Sequence, residues 1–257
     1  MEQTLAGSGP ATLAGCRRGG TVAKLPLDKL ASRAEAQAFQ VAAIDALGGV
    51  RCGYKIGATS PAVQQLLSCR EPIYSPVLSE DVLAGGSTFR IPQGFLGVEC
   101  EFGFVMARDF PASDETPDAA SLRSAIAECF IGLELVGRRL SDDVALNETS
   151  AIADFGLDVA VIRGEPIPDW TRCDLAAMPV RAVLDGISVV TGTGAAVLGH
   201  PLNALLWLAK SLQRQGGGLR RGDIIMTGTC TGITKVAPGQ TFAGRFADFP
   251  PVHVYLT

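Results

Sequence analysis

The sequence predicts an α+β fold, because helical segments and short strand-like runs both occur along its 257 residues. Apolar residues recur at helical spacing over 27–47 and over 201–213. Short, mostly apolar runs at 51–57 and 130–136 are typical of strands. Asp185-Gly186 lies between two further runs and is a strong hairpin signal.

The predicted elements form a helical N-terminal part and a strand-rich remainder. The chain begins with a loosely ordered lead-in over 1–26, followed by a solvent-facing amphipathic helix over 27–47, a strand over 51–57, a short helix over 61–68 and an extended loop over 71–82. The middle part is expected to contain a strand over 97–104, a loop over 108–118, a helix over 119–127 and strands over 130–136, 160–163, 178–184 and 187–191. A helix over 201–213, a strand that leads into a glycine- and threonine-rich loop over 222–232, and short strands over 239–256 complete the prediction. We therefore predict an N-terminal extension of residues 1–50, with a helix that packs on a main mixed-sheet domain of residues 51–257.

Charge and hydropathy exclude several classes of function. With 22 basic and 26 acidic residues, the formal net charge is -4, so the whole chain lacks the positive field expected of a nucleic-acid-binding protein. Apolar runs are interrupted well before the length of a membrane span, and the first twenty residues lack the pattern of a secretory signal. We expect a cytoplasmic protein with neither a nucleic-acid partner nor a membrane association.

Cysteine and histidine usage narrows the chemistry further. The seven cysteines are scattered and form no C-x-x-C pair, so neither a zinc cluster nor a disulfide framework is expected. Only two histidines, His200 and His253, are present. Carboxylates and lysine remain as the candidate reactive groups.

Two glutamates at a spacing of two stand out in an otherwise apolar run. In a strand, Glu99 and Glu101 would share one face, because successive side chains point to opposite faces. Gly97 and Gly103 flank them on that face and are expected to leave the carboxylates accessible to a ligand. Two interpretations are equally open at this point, a solvated polar face and a divalent-cation site.

Single charges also interrupt two other apolar strands. Lys55 shares a face with Gly53 and Gly57, which slightly favours a pocket over an exposed position on an edge strand. Glu134 would complete a hard-cation site as a third carboxylate, or it would lie at a helix end facing water. Its spacing does not decide between these alternatives.

The run from Gly222 to Gly232 has no Walker A spacing, but its backbone amides and threonine hydroxyls are able to hold a carboxylate. Asp154 lies in a segment that could border the same pocket as the acids.

Several segments taken together resemble the 2-keto-4-pentenoate hydratase branch of the fumarylacetoacetate hydrolase superfamily. The resemblance runs from about residue 27 to the C-terminus, and its combination of segments is far more specific than any single one. The matching segments are Gly53-Tyr-Lys-Ile-Gly57 with Thr59-Ser60, Gly97-Val-Glu-Cys-Glu101, Gly132-Leu-Glu-Leu-Val136, Ile152-Ala-Asp154, Leu198-Gly-His-Pro-Leu-Asn-Ala-Leu-Leu-Trp-Leu-Ala209 and Gly222-Asp-Ile-Ile-Met-Thr-Gly228.

This resemblance implies a fold, a cofactor and a reaction. The implied fold is a mixed β-sandwich roll, or distorted barrel, flanked by helices and assembled as a homo-oligomer. The implied cofactor is Mg²⁺ or Mn²⁺ held by Glu99, Glu101 and Glu134. The implied reaction is hydration of a small 2-hydroxy-2,4-dienoic acid, as in meta-cleavage catabolism of aromatic compounds, and it would take place in the main domain.

The resemblance places Lys55 near a bound 2-oxo acid. We expect Lys55 to relay protons, with a pKa lowered by burial beside the metal. The residues expected to contact the substrate are Ser60, Tyr74, Asp154, Thr227, Gly228 and Thr229.

Two departures from the family pattern affect the expected pocket. Phe155, Gly156 and Leu157 follow Asp154 where the family often has Asn and small polar residues, and Gly137 stands where an acid is usual. Both changes predict a more apolar or less charged pocket, and therefore an atypical substrate.

Three alternatives to a hydratase are carried forward. A 2-oxo-3-enedioate decarboxylase would use the same cation to stabilise the same enolate. An acylpyruvate hydrolase is less favoured, because neither histidine lies where the His-Glu pair of a lid is expected; we interpret His200 as a helix-entry residue. The third alternative is a relative that binds a 2-oxo acid without turnover, which the presence of the three acids and Lys55 disfavours.

Overall fold

The computed structural model describes residues 8–257. Helices α1 to α6 cover Gly9–Gly19, Arg33–Leu47, Pro61–Leu67, Ala119–Ser124, Glu148–Ala153 and Pro201–Arg214. Strands β1 to β12 cover Arg51–Gly57, Ile73–Leu78, Val82–Ala84, Ser87–Phe89, Phe95–Met106, Ile126–Gly137, Asp158–Pro166, Pro179–Leu184, Ile187–Thr193, Ile224–Thr229, Thr241–Phe246 and Val252–Leu256.

The strands form two mixed sheets. The larger sheet has the order β2-β1-β10-β5-β6-β7-β3, and the smaller has the order β4-β12-β11-β8-β9. Strands β1 and β10 pair in parallel, as do β3 with β7 and β12 with β4. The long antiparallel pair of β5 and β6 lies near the centre of the larger sheet. The α+β class with mixed sheets and flanking helices, predicted from the sequence, is confirmed.

The two sheets face each other across a common hydrophobic core. Phe102 of β5 and Phe246 of β11 meet edge to face, with ring centroids 5.0 Å apart. Helix α6 adds Leu205 and Leu208 to the same core. Since side chains alternate along β5 and β6, the polar residues of these strands face away from this core.

Local sequence signals explain where the helices begin and how the hairpin turns. Ser32 and Ser60 cap α2 and α3 by accepting hydrogen bonds from backbone amides. His200 caps α6, because its Nδ1 accepts a hydrogen bond from the amide of Leu202 at 3.1 Å, as its interpretation as a helix-entry residue predicts. Asp185 and Gly186 both have positive φ angles between β8 and β9, which the predicted hairpin requires.

Three predictions of local structure were wrong. Within the lead-in, residues 1–7 lie outside the described part, but α1 occupies Gly9–Gly19 and buries Leu13. The predicted loop over 71–82 contains β2, whose Pro76 is tolerated because β2 is an edge strand. The predicted helix over 27–47 begins only at Arg33, and it buries Phe39 rather than facing solvent throughout.

The N-terminal helices pack on the rest of the molecule beside α5. Gln40 of α2 donates a hydrogen bond to the Ile152 carbonyl at 2.6 Å, and Leu13 and Phe39 share a second hydrophobic cluster with Ile152. The division at residue 50 stays a prediction. No helix within residues 8–257 combines the length and apolarity needed to cross a membrane.

Gly53→Ala is expected to destabilise the fold, because a Cβ at this position would lie 1.8 Å from the backbone oxygen of Ile224 in β10. Overpacking of this kind costs about 1–3 kcal/mol. Urea denaturation of wild type and variant measures the difference. Gly15→Ala is the control of opposite sign, because Gly15 is exposed in α1 with open space at its Cβ, and it should add about 0.5–1 kcal/mol. Unchanged stability of Gly53→Ala would contradict the close approach of β1 and β10.

Candidate active site

Three carboxylates converge on one face of the larger sheet. Glu99 and Glu101 project from β5, and Glu134 lies on β6 directly opposite Glu99 in the antiparallel register. One ligand atom from each residue lies within 4.8 Å of those from the other two. Glu101 and Glu134 are fully buried, and Glu99 is half-buried. The shared face predicted for Glu99 and Glu101 therefore also includes Glu134.

Lys55 reaches this cluster from β1, with β10 and β5 between its strand and that of Glu134. Its Nζ lies 2.8 Å from Glu134 Oε1 and donates a hydrogen bond of 2.6 Å to the Gly156 carbonyl. Lys55 is only 3% exposed. Of the two interpretations of Lys55, the structure supports a buried position facing the acids.

The lowered lysine pKa was expected beside a bound metal and stays a prediction; the protein groups alone shift this pKa in the other direction. Burial acts to lower the pKa of Lys55, but the negative charges of Glu134, Asp158 and Glu101 outweigh it, so that this pKa lies above its usual value. The lysine therefore carries its proton in this arrangement.

The pKa values of the carboxylates shift in the direction expected of crowded acids. Burial, reinforced by Glu134, raises the pKa of Glu99 to about 8. Burial and the charges of Glu134 and Glu99 raise the pKa of Glu101 well above its usual value. Like charges at this distance are costly unless protons or a cation compensate them.

The donor set suits a hard divalent cation. Glu101 Oε2 accepts a hydrogen bond of 2.9 Å from the Gly228 amide, whereas Glu101 Oε1 and Glu134 Oε2 are buried and have no hydrogen-bond donor in the described part of the chain. Three carboxylates against one lysine leave a formal charge of -2 when all are ionised. Oxygen ligands of this kind are those that Mg²⁺, Mn²⁺ and Ca²⁺ prefer.

The glycines beside the acids make room for protein atoms rather than for a ligand, contrary to prediction. A Cβ at Gly103 would lie 2.0 Å from the Phe130 ring, and one at Gly97 would lie 2.2 Å from the Thr234 carbonyl oxygen. The space at both positions is therefore already filled.

The turn after α5 covers Lys55. Phe155, Gly156 and Leu157 have φ angles of 52°, 62° and 69°, a left-handed run that is strained at the two non-glycine residues. The run turns the Gly156 carbonyl towards Lys55. The Phe155 ring packs against the guanidinium groups of Arg17 and Arg139, whose Cζ atoms lie 4.8 and 5.3 Å from its centroid.

Asp154 fixes this turn through hydrogen bonds at both carboxylate oxygens, and a substrate contact by this residue stays a prediction. Its Oδ1 accepts a hydrogen bond of 2.6 Å from Arg139 Nε, and its Oδ2 accepts one of 2.7 Å from the Arg139 amide. Both side chains are almost completely buried. Asp154 therefore acts on the site through Arg139 and the backbone.

Tyr74 also lies away from the predicted site. It pairs with Ile56 on β1, one residue beyond Lys55, so its ring faces the opposite side of the sheet. Its hydroxyl lies 2.9 Å from Gln215 Oε1, and its ring packs edge to face on Tyr54. The residue across from Lys55 is instead the buried Ser75, which the sequence interpretation missed because β2 was predicted to be a loop.

The remaining predicted substrate contacts have structural partners of their own. Ser60 caps α3, and Thr227 Oγ1 donates to the Phe102 carbonyl at 2.9 Å. Thr229 Oγ1 accepts hydrogen bonds from the amides of Thr231 and Gly232 and so shapes the loop. Gly228 is the member of this set whose amide touches the acid cluster. Substrate contacts by Ser60, Thr227, Gly228 and Thr229 stay predictions.

Two charged residues that support the site were not recognised from the sequence. Asp158 is fully buried at the start of β7, and its Oδ2 lies 2.9 Å from Arg17 Nη2. Arg17 also lies 2.6 Å from Asp81. Asp158 starts an apolar strand, which was a visible signal, but nothing in the sequence indicates that an arginine of α1 reaches it.

The Gly137 departure does not affect the acid cluster. Gly137 follows Glu134 by three residues and so lies on the opposite face of β6. A Cβ there would lie 2.9 Å from the side chain of Val159.

Comparisons with known proteins agree with the geometry of the site. The family described as fumarylacetoacetate (FAA) hydrolase C-terminal matches residues 69–252. A 2-keto-4-pentenoate hydratase from Paraburkholderia xenovorans is 35% identical over 200 residues, which are 76% of this chain and 72% of that protein. A TodF product hydratase from Pseudomonas putida is 34% identical over 204 residues, covering 78% of this chain and 74% of that protein.

Among solved structures, 4-oxalocrotonate decarboxylase from Pseudomonas putida G7, complexed with magnesium and adipate, is similar over 100% of this chain and 98% of that chain, with a TM-score of 0.88 and 24% identity. At that identity the likeness concerns the fold alone.

Asp154→Asn is expected to lower the free energy of unfolding by about 3–5 kcal/mol, because it leaves the charge of Arg139 buried without its partner. Urea denaturation measures the loss. Asp143→Asn is the matched control, because Asp143 pairs with Lys24 at the surface and its replacement should change stability little. A variant of normal stability with a raised KM would instead support Asp154 as a substrate-binding residue.

Proposed function

The chain belongs to the fumarylacetoacetate hydrolase family, and we propose that it is a divalent-cation-dependent hydratase. It adds water to a small 2-hydroxy-2,4-dienoate, by way of the 2-oxo-3-enoate tautomer, and gives a 4-hydroxy-2-oxo acid. The observation that carries this proposal is the cluster of Glu99, Glu101 and Glu134, with donor-free buried oxygens, in contact with Lys55. Hydratases at 34–35% identity support the choice of reaction.

We propose that the three glutamates hold the cation, which when bound would polarise the 2-oxo group and orient the substrate. The Gly228 amide fixes the Glu101 carboxylate through Oε2, so that Oε1 is left to face the site. Magnesium or manganese is the proposed ion.

Lys55 is the proposed proton carrier. In the tautomerisation, the 2-hydroxyl group loses a proton and C5 gains one. Because the acids around Lys55 hold it in the ammonium form, Nζ gives its proton to C5 and recovers one from the 2-hydroxyl group. Water then adds its oxygen to C4 and a proton to C3. The Gly156 carbonyl keeps Nζ pointed at the site through its 2.6 Å hydrogen bond.

The hydratase and its closest alternative give different products. The cation-loaded protein is incubated with 2-hydroxypenta-2,4-dienoate and, separately, with a 2-oxo-3-enedioate, while dienol absorbance and carbon dioxide are followed. Loss of dienol absorbance without carbon dioxide is expected. Release of carbon dioxide from the enedioate, with the dienoate untouched, would assign the decarboxylase. Binding without loss of either compound would assign a non-catalytic relative.

The homo-oligomer, the cytoplasmic location and the catalytic role of residues 51–257 also stay proposals. The family resemblance supports the first of these, and the scattered cysteines support the second.

Lys55→Met is expected to lower kcat by a factor of about 10²–10⁴, the usual contribution of a proton-transfer group, while the cation still binds. Steady-state kinetics and calorimetric titration with Mn²⁺ measure the two effects. Lys210→Met, at an exposed position of α6, is the control and should retain full activity. Unchanged turnover in Lys55→Met would remove this lysine from the mechanism, whatever the reaction.

Cation affinity is expected to rise with pH from about 6 to 8. Because the pKa of Glu99 is raised to about 8, Glu99 holds a proton below that pH and the cation must displace it. Each displaced proton raises the cation affinity by as much as about tenfold per pH unit. Titration with Mn²⁺ in buffers of different ionisation enthalpy counts the released protons. An affinity independent of pH, or no proton release, would contradict the protonated state of the free cluster.

A further inference from the structure

A cavity of about 550 Å³ lies apart from the acid cluster. The end of α1, the segment after β4 and the segment after β6 form its walls. None of the three glutamates of the cluster lines it, and neither does Lys55. We call it the arginine cavity, because five arginines line it: Arg17, Arg18, Arg90, Arg138 and Arg139.

Two of the five arginines are neutralised by neighbouring acids. Arg17 pairs with Asp81 and Asp158 at 2.6 and 2.9 Å, and Arg139 pairs with Asp154 at 2.6 Å. Asp81, which Arg17 already engages, is the one acidic residue of the described chain that lines the cavity.

The other three arginines have no carboxylate partner. Arg18 donates to the carbonyls of Ala46 and Leu47, and Arg138 donates to that of Val144 at 2.7 Å. Arg138 Nε is buried without a hydrogen-bond acceptor within residues 8–257. Arg90 is exposed, and no ion pair or hydrogen bond joins its side chain to that range. In a chain of net charge -4, these three guanidinium groups concentrate positive charge around one cavity.

The cavity also has an apolar side, formed by Phe89, Ile91, Pro92 and Val159. Its volume lies in the range of small-molecule sites, which combine apolar walls with a few charged groups. Guanidinium groups recognise carboxylate and phosphate through paired hydrogen bonds.

We propose that the arginine cavity binds a small organic anion with at least two negative charges, through Arg18, Arg90 and Arg138. This site is separate from the active site and does not depend on the proposed reaction. Carboxylate and phosphate share the recognition chemistry, so both are probed.

The test is calorimetric titration of protein freed of metal by a chelating resin, at fixed ionic strength, with inorganic phosphate and with glutarate. Wild type should bind at least one of them saturably, with one site per chain. Binding of phosphate alone would assign phosphate esters as the class, and binding of glutarate alone would assign dicarboxylates. Either result supports the site.

Arg18→Gln combined with Arg90→Gln should weaken that binding at least tenfold, and both positions are exposed, so the fold should be retained. Arg138→Gln should weaken it similarly, with circular dichroism to check its folding. Arg245→Gln, exposed on β11, is the matched control and should bind as wild type does, as should Lys55→Met.

Three outcomes would overturn the proposal. The first is the absence of saturable binding of either anion to wild type. The second is equal anion binding by the arginine variants and by Arg245→Gln, or loss of anion binding in Lys55→Met. Either result would show that the anion binds at another site. The third is a change of oligomeric state in the Arg18 and Arg90 double variant, measured by light scattering, which would make the cavity a contact between subunits.

Discussion

Most of the architecture around the site follows from keeping three carboxylates close together inside a sheet. An acid pair placed directly across an antiparallel ladder, as Glu99 and Glu134 are, is repulsive unless its surroundings supply positive charge. The chain supplies the Lys55 ammonium group and the Gly228 amide. Two oxygens remain without donors, which is why a cation is the natural completion of the site. An acid cluster of this kind is costly for an apo protein and useful for a metal enzyme.

A second set of charged residues holds the acid cluster and Lys55 in position. Arg139 and Asp154 fix the turn that presents the Gly156 carbonyl to Lys55. Arg17 connects α1 to Asp158, whose charge in turn acts on Lys55. The N-terminal helices are therefore part of the support of the site, even though they contribute none of its ligands.

The sequence predicted the parts of the site that depend on local periodicity and missed those that depend on distant contacts. The common face of Glu99 and Glu101 follows from the strand period alone. Glu134 could be added only through resemblance to a family, because strand register is set by tertiary packing. Tyr74 was wrongly predicted to lie at the site, because Pro76 is typical of a loop and the edge strand around it was not recognised. The pairing of Asp154 with Arg139 through both carboxylate oxygens was missed, because no local pattern indicates it.

The parallel pairing of β1 with β10 has a consequence for how the protein is made. Lys55 lies beside Met226 in the sheet, so the lysine strand joins the acid-bearing strands only through a segment near the C-terminus. On the ribosome, β5 and β6 emerge before β10, the strand that joins the β1–β2 hairpin to them in the sheet. A chain interrupted before β10 would therefore contain the three glutamates and Lys55 but lack the strand that lies between β1 and β5.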